Sequence, residues 1–356
     1  MKIHNYSAGP CILPQSVLKQ ASEAILNFNN SGLSLLEISH RSQPFVDVIE
    51  EARALVLELM GLQNQGYEAL FLQGGASLQF LMTVYNLTNT QDKAAYLDTG
   101  TWANGAIKEA QKFVEVNIVA SSKDKNYNYI PKNFEVPKDV AYFHCTSNNT
   151  IFGTQMKAFP MVEIPLICDM SSDIFSKQQD FSKFDLIYAG AQKNMGPAGA
   201  TLVVIKKSIL GKTDRIIPNI LNYQLLIDKE SMYNTPSVYA IYVSLLTLKW
   251  LKNLGGINEI EKLNNAKAQL LYHEIDRNPL FEGTAEVEDR SHMNATFVLK
   301  DEKNQKRFDD IWQENGISGL AGHRSVGGYR ASMYNALPLE SVQILVDCMK
   351  LLEQKV

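Results

Sequence analysis

In the segment DLIYAGAQKNMGPAGATLVVIK, residues 185–206, Lys193 is the only charge between Asp185 and Lys206. It follows an apolar run that reads as a buried strand, LIYAG, and heads a turn of Gly, Ala and Pro. A lone lysine is often a solvated turn residue, but in parallel α/β sheets ligands bind beyond the carboxyl ends of the strands. Asp169 closes another such run, PLICDM, so successive strands bring a carboxylate and an amine to one rim. Desolvation lowers a lysine's pKa and lets it form Schiff bases. A carboxylate facing a pyridinium nitrogen is the other half of pyridoxal-phosphate chemistry.

That chemistry needs a seat for a phosphate. LFLQGGASLQF reads as a strand, then Gly74-Gly75-Ala76-Ser77, then a helix whose first N–H groups form an anion site. There is no GxGxxG and no GxxxxGK[ST], which argues against dinucleotide or Walker-type nucleotide binding. Trp102, just past the strand AAYLD, is either a core indole or a flat face for a pyridine ring. Thr150, after the strand VAYFHC, places a hydroxyl near the ring oxygen.

Basic residues gather in two places: His40 and Arg41 in SHRS, and His323, Arg324 and Arg330 in GHRSVGGYRAS. Arg330 lies among small and apolar residues, where an unpaired guanidinium is costly and a bound anion offsets that cost. Two-point contacts of arginine suit carboxylates and phosphates. Five basic groups exceed what a monocarboxylate needs and match a substrate that carries both a carboxylate and a phosphate.

These residues need a scaffold. LPQSVLKQASEAILNF and PFVDVIEEARALVLELM have helical apolar spacing, and Pro44 suits a first helical turn. Short apolar strands then alternate with helical segments, indicating βαβ units around a mostly parallel sheet. SSKDKNYNYIPKNFEVPKD reads as a surface connection. Gly255-Gly256 separates two helical patterns, and beyond it MNATFVLK, KRFDDIWQEN and LESVQILVDCMKLLE read as strand, helix and helix of a smaller α+β domain. The expected boundaries are 13–255 for the large domain, with 1–12 and 256–356 forming the small one.

Bulk properties narrow the class. The 356 residues are 45% apolar and 20% charged with a net charge of -4, which calls for neither nucleic acid nor an anionic membrane. The start lacks a secretory h-region, and the four cysteines form no CxxC pair. The expectation is a cytoplasmic protein with reduced thiols and no metal site.

The chain resembles the phosphoserine aminotransferases, a class-V family of pyridoxal-phosphate (PLP) enzymes of fold type I, essentially end to end. The resemblance rests on YSAGPCILP, SHRS, QGGAS, GTWANGAIKEA, CDMSSD, YAGAQKNMGPAG, MYNTPS and GHRSVGGYRASMYNA. It implies an α/β fold with a mostly parallel seven-stranded sheet and a smaller α+β domain. It implies one PLP per subunit, held as an aldimine on Lys193. Lys193 is then also the base that moves the α-proton, Asp169 the pyridinium partner, Trp102 the stacking ring and Thr150 the donor on the ring hydroxyl. Ala76, Ser77 and Gln192 resemble the phosphate cup, and Asn234 and Thr235 match residues that reach the phosphate from a neighbouring subunit of a homodimer. Arg330 resembles the α-carboxylate clamp; His40, Arg41, His323 and Arg324 resemble the distal-anion pocket, the first two donated across the dimer. The implied substrates are L-glutamate and 3-phosphohydroxypyruvate, and some members also accept 4-phosphohydroxythreonine, a vitamin B6 precursor.

The chain departs from some members in carrying Ala76-Ser77 for Gly-Arg, Ala8 for a serine and SNNT for PNET. Alternative readings are another class-V aminotransferase, such as one for alanine and glyoxylate, a cysteine desulfurase, or a binding protein on a PLP-type scaffold.

Overall fold

A computed structural model describes residues 2–356; Met1, the first residue of the segment 1–12 assigned to the small domain, lies outside the described residues. Seven strands form the central sheet: β1 (Tyr67–Leu72), β2 (Lys93–Asp98), β3 (Glu115–Ser121), β4 (Phe143–Thr146), β5 (Leu166–Asp169), β6 (Leu186–Gly190) and β7 (Thr201–Lys206). Their order is β1-β7-β6-β5-β4-β2-β3. All are parallel except β7, which runs antiparallel to both β1 and β6. Only residues 191–200 separate β6 from β7, too few for the crossover that parallel pairing demands.

Side chains alternate across the sheet because successive residues of a strand point to opposite faces. Phe71, Leu97, Cys145, Ile187, Leu202 and Val204 enter one core with helices α2 (Gln43–Met60) and α6 (Val238–Asn253). Leu70, Tyr96, Tyr142, Tyr188, Val203 and Ile205 enter the other, under α3 (Gly75–Leu87), α4 (Thr101–Ala110) and α5 (Tyr223–Asp228). Helix α1 (Gln15–Leu26) packs on α6 through Val17 and Ala21. Burial on both faces explains why these strands read as continuous apolar runs.

The expected alternation of strand and helix holds only for the first half, β1–α3–β2–α4–β3. From β4 to β7 the connections are turns, 3-10 segments and a small ribbon, and α5 and α6 follow the completed sheet. Those connections are rich in Ser, Asn and Asp, whose side chains bond nearby backbone and compete with helix.

A second core gathers Tyr6, Leu271, Phe297, Phe308 and Leu345. It joins a three-stranded antiparallel sheet, β8 (Phe281–Gly283), β9 (Asn294–Leu299) and β10 (Tyr329–Ser332), to α7 (Gly256–Arg277), α8 (Gln305–Glu314) and α9 (Leu339–Lys355). Helix α7 serves both cores: Ile257 and Ile260 enter the first, Ala268, Leu271 and Ile275 the second. His4–Asn5 pairs in parallel with Ile317–Ser318. The glycine-punctuated stretch GHRSVGGYRAS ends in a strand, β10, which puts Arg330 in a sheet. Among the described residues no helix is long and apolar enough to cross a membrane.

Candidate active site

Asp169 is the last residue of β5, and Lys193 follows the end of β6, its parallel neighbour. Both line one cavity of about 150 Å³ at the carboxyl rim of the sheet. Gly75, Ala76 and Ser77 from the start of α3, Trp102 from α4, Thr150 and Gln192 line it as well. The structure thus brings together eight of the residues singled out from the sequence.

Lys193 Nζ donates to Thr150 Oγ1 at 3.0 Å and lies 5.8 Å from the centroid of the Trp102 ring. Burial lowers the amine's pKa to about 8; Asp169 opposes that shift, and the charge of Arg330 adds to it. Trp102 is 40% exposed, so its indole is a wall of the cavity and not a core side chain.

Asp169 is buried, and its Oδ1 accepts from the Ser171 N–H at 2.9 Å. Burial pushes its pKa up, while the Ser171 hydrogen bonds and the charge of Lys193 pull it down. Behind it Asp173 is buried too, bonded by Ser147 Oγ and by Gln155 Nε2, the latter at 3.1 Å.

The turn into α3, expected to seat a phosphate, depends on Gly74. Its φ of +90° is a left-handed conformation, and a Cβ there would sit 2.5 Å from Leu78 Cδ2. Helix α3 begins with no side-chain cap, so the first-turn N–H groups are free to meet an anion.

Above Lys193 lies the amino-terminal segment, which sequence reading did not place there. Cys11 N–H donates to Gln192 O at 3.0 Å and its thiol contacts Lys193 O, while Tyr334 Oη donates to Ala8 O at 2.8 Å. Sequence reading also passed over Thr146, Asn148, Ser171 and Ser172, all cavity residues. They lie in or beside stretches already flagged, SNNT and CDMSSD, and their position after strand ends was the available signal.

Arg330 is partly buried; its Nη1 reaches Thr150 O at 3.4 Å and its Nε is buried without a hydrogen-bond partner. Burial lowers its pKa. His323 Nδ1 meets Ser325 Oγ at 2.6 Å, and its pKa is lowered by burial and then by Arg330 and Arg324. Arg324 is exposed.

His323, Arg324 and Arg330 lie outside the lining of this cavity, and so do His40, Arg41, Asn234 and Thr235. Arg41 is exposed in the turn before α2, and His40 Nε2 is buried without a partner. The pKa of His40 is lowered by burial and then by Arg41. Asn234 and Thr235 are exposed beside Gln73, whose amide donates to Thr235 O at 3.1 Å.

The cavity suits pyridoxal phosphate. A buried carboxylate without a salt-bridge partner closes one end, an amine of lowered pKa stands against an indole, and an uncapped helix start supplies anion donors. The partnerless Nε of Arg330 marks where a substrate anion could bind.

Comparison with known proteins agrees with this geometry. Residues 3–345 match the family described as Aminotransferase class-V. The phosphoserine aminotransferase of Flavobacterium psychrophilum is 71% identical over 356 residues, covering 100% of both chains. The solved phosphoserine aminotransferase of Bacillus circulans subsp. alkalophilus is 41% identical with a TM-score of 0.96, covering 99% of each chain. The PLP-bound phosphoserine aminotransferase of Trichomonas vaginalis is 36% identical with a TM-score of 0.93, covering 98% of this chain and 100% of the other.

Proposed function

The chain belongs to the class-V aminotransferases, and within them to the phosphoserine aminotransferases; from that premise we propose how its residues divide the work. It is a PLP-dependent enzyme that transfers the amino group of L-glutamate to 3-phosphohydroxypyruvate, giving O-phospho-L-serine and 2-oxoglutarate. The observation that carries the assignment of roles is the convergence of Lys193, Asp169, Trp102 and Thr150 on one cavity above the uncapped start of α3.

Bound pyridoxal phosphate supplies an electron sink for charge that develops at the substrate Cα. Lys193 anchors the coenzyme and then, as a free amine, takes the Cα proton through Nζ. A pKa of about 8 suits a base that works near neutrality. Asp169 holds a proton on the ring nitrogen, and its burial strengthens that charge pair. Trp102 offers its indole face to the ring, and Thr150 fixes Lys193 on one side and orients a ring oxygen on the other. Ala76, Ser77, the α3 amides and Gln192 seat the phosphate. Arg330 takes the α-carboxylate, filling its free Nε donor.

His40, Arg41, His323 and Arg324 form the distal-anion pocket in this reading. It accepts a γ-carboxylate in one half-reaction and a phosphate dianion in the other, and the histidines adjust by changing charge. Donation of His40, Arg41, Asn234 and Thr235 across a homodimer belongs to the same proposal and rests on the family resemblance; in this chain Arg41, Asn234 and Thr235 are exposed. Residues 13–255 then form the coenzyme-binding domain, and 1–12 with 256–356 the small domain, a division supported by the separate second core. A cytoplasmic location belongs to the same proposal and rests on the family.

A coupled assay with glutamate and 3-phosphohydroxypyruvate, run beside unphosphorylated hydroxypyruvate, tests the substrate assignment. Loss of the phosphate should cost up to roughly 10⁴-fold in kcat/KM, since it leaves the cations of the distal pocket without their anion. Comparable rates with the two ketoacids would remove the distal pocket from its role.

A further inference from the structure

A second group of nitrogen donors lies away from the coenzyme cavity. Lys157, Lys177 and His292 line a cavity of about 480 Å³ bordered by the segment after Gln155, the 177–184 loop, helix α7 and the short segment before β9. No salt bridge is formed by Lys157 or Lys177 among the described residues. Lys157, exposed overall, has a partly buried ammonium that donates to Arg290 O at 2.6 Å and Gln155 Oε1 at 3.3 Å. Lys177 donates to Met156 O at 2.9 Å and stands over the Phe159 ring. An ammonium has three donors, so one on Lys157 and two on Lys177 are left over.

Two acids line the same cavity and, among the described residues, form no salt bridge with Lys157 or Lys177; each accepts a backbone N–H. Asp180 accepts from Ser182 N at 3.1 Å and Glu261 from Gln178 N at 3.1 Å. Lys183 adds a further exposed cation. Burial lowers Lys157 to about 8, with Lys177 adding to the shift and the charges of Asp173 and Asp289 opposing it; burial and both lysines lower His292 to about 4, leaving it a neutral donor near pH 7. Lys157 and Lys177 therefore keep spare donors at one cavity, which an anion can fill.

We propose that this cavity is a second anion site, distinct from the substrate pocket, which takes a phosphate group on Lys157, Lys177 and His292. Several spare donors suit a tetrahedral oxyanion better than a planar carboxylate, which offers fewer acceptor directions. The site is wired to the catalytic one. Gln155 Oε1 accepts from Lys157, and its Nε2 donates to Asp173 at 3.1 Å. Asp173 in turn acts on the charges of Asp169 and Lys193. The inference rests on the proposed substrate pocket only in requiring that the two phosphate sites be told apart.

Calorimetric titration of the PLP-loaded enzyme with inorganic phosphate, and separately with phenyl phosphate, tests it. Two sites per chain are expected. Lys157→Met/Lys177→Met should weaken one site at least about tenfold, the equivalent of one charge-assisted contact, and leave the other intact. Arg324→Ala should weaken only the other. Lys177→Gln, a milder change, should weaken the first site several-fold with an unchanged unfolding temperature. Tighter binding of phenyl phosphate marks a phosphomonoester site, and equal binding marks one for free phosphate. Lysine variants that titrate like the unmodified enzyme with both probes would overturn the proposal, whatever Arg324→Ala does.

Discussion

Lys193 Nζ donates a 3.0 Å hydrogen bond to the hydroxyl of Thr150, whose carbonyl oxygen accepts from Arg330 Nη1 at 3.4 Å. One threonine therefore touches both the amine that handles the substrate proton and the guanidinium assigned to the substrate carboxylate. Thr150→Val, which keeps the shape and removes the hydroxyl, should lower kcat by about tenfold, the worth of one hydrogen bond of about 1.4 kcal/mol. Thr150→Ser should recover most of it. Steady-state kinetics of the two variants decides; equal rates would free Thr150 of the role.

Asp169 is a buried carboxylate whose partners here are Ser171 and the field of Lys193. Asp169→Asn removes the charge that holds a proton on the coenzyme ring. It should weaken PLP retention and lower kcat by about 10- to 10²-fold, a charge-assisted bond being worth roughly 1.5–3 kcal/mol. Dialysis followed by absorbance of the retained coenzyme, with kcat alongside, checks both effects.

Arg330→Ala should lower kcat/KM for glutamate and 3-phosphohydroxypyruvate alike, by about 10²–10³, since both carry an α-carboxylate. Arg324→Ala and Arg41→Ala should harm the phosphorylated substrate more. Equal losses for phosphorylated and unphosphorylated ketoacid in the latter two variants would place them outside the distal pocket.

Lys267 is buried and donates to the carbonyls of Met333 and Tyr334 at 3.0 and 2.8 Å, and burial lowers its pKa from 10.5 to about 7. Between those values the unfolded chain binds a proton that the folded chain does not, so folded stability rises with pH. Relative to Lys267→Met, the unmodified protein should gain stability from pH 7 to 9 with a slope approaching about 1.4 kcal/mol per pH unit. Urea unfolding at pH 7, 8 and 9 reads the slope; parallel profiles would mean that Lys267 is not neutralised by burial.

Much of this site was legible because each key residue sits where a strand run ends. Asp169 and Lys193 follow apolar runs that become adjacent parallel strands, and Trp102 and Ser77 follow turn signals before helices. Strand direction was less legible: an apolar run such as TLVVI carries no mark of orientation, and only the short 191–200 turn makes β7 antiparallel. The Cys11 contacts with Gln192 and Lys193 join residues about 180 positions apart, a relation that local spacing does not encode. Asn234 and Thr235 were read from family resemblance alone, as was the donation of His40 and Arg41 across a dimer, because no spacing within one chain encodes a contact with a second copy.

Borohydride reduction of the PLP-loaded enzyme, followed by peptide mapping, tests the central assignment most directly. The coenzyme should be fixed on Lys193, and Lys193→Ala should take up no label and retain little transamination. Label on another lysine, or none on Lys193 of an active enzyme, would contradict it.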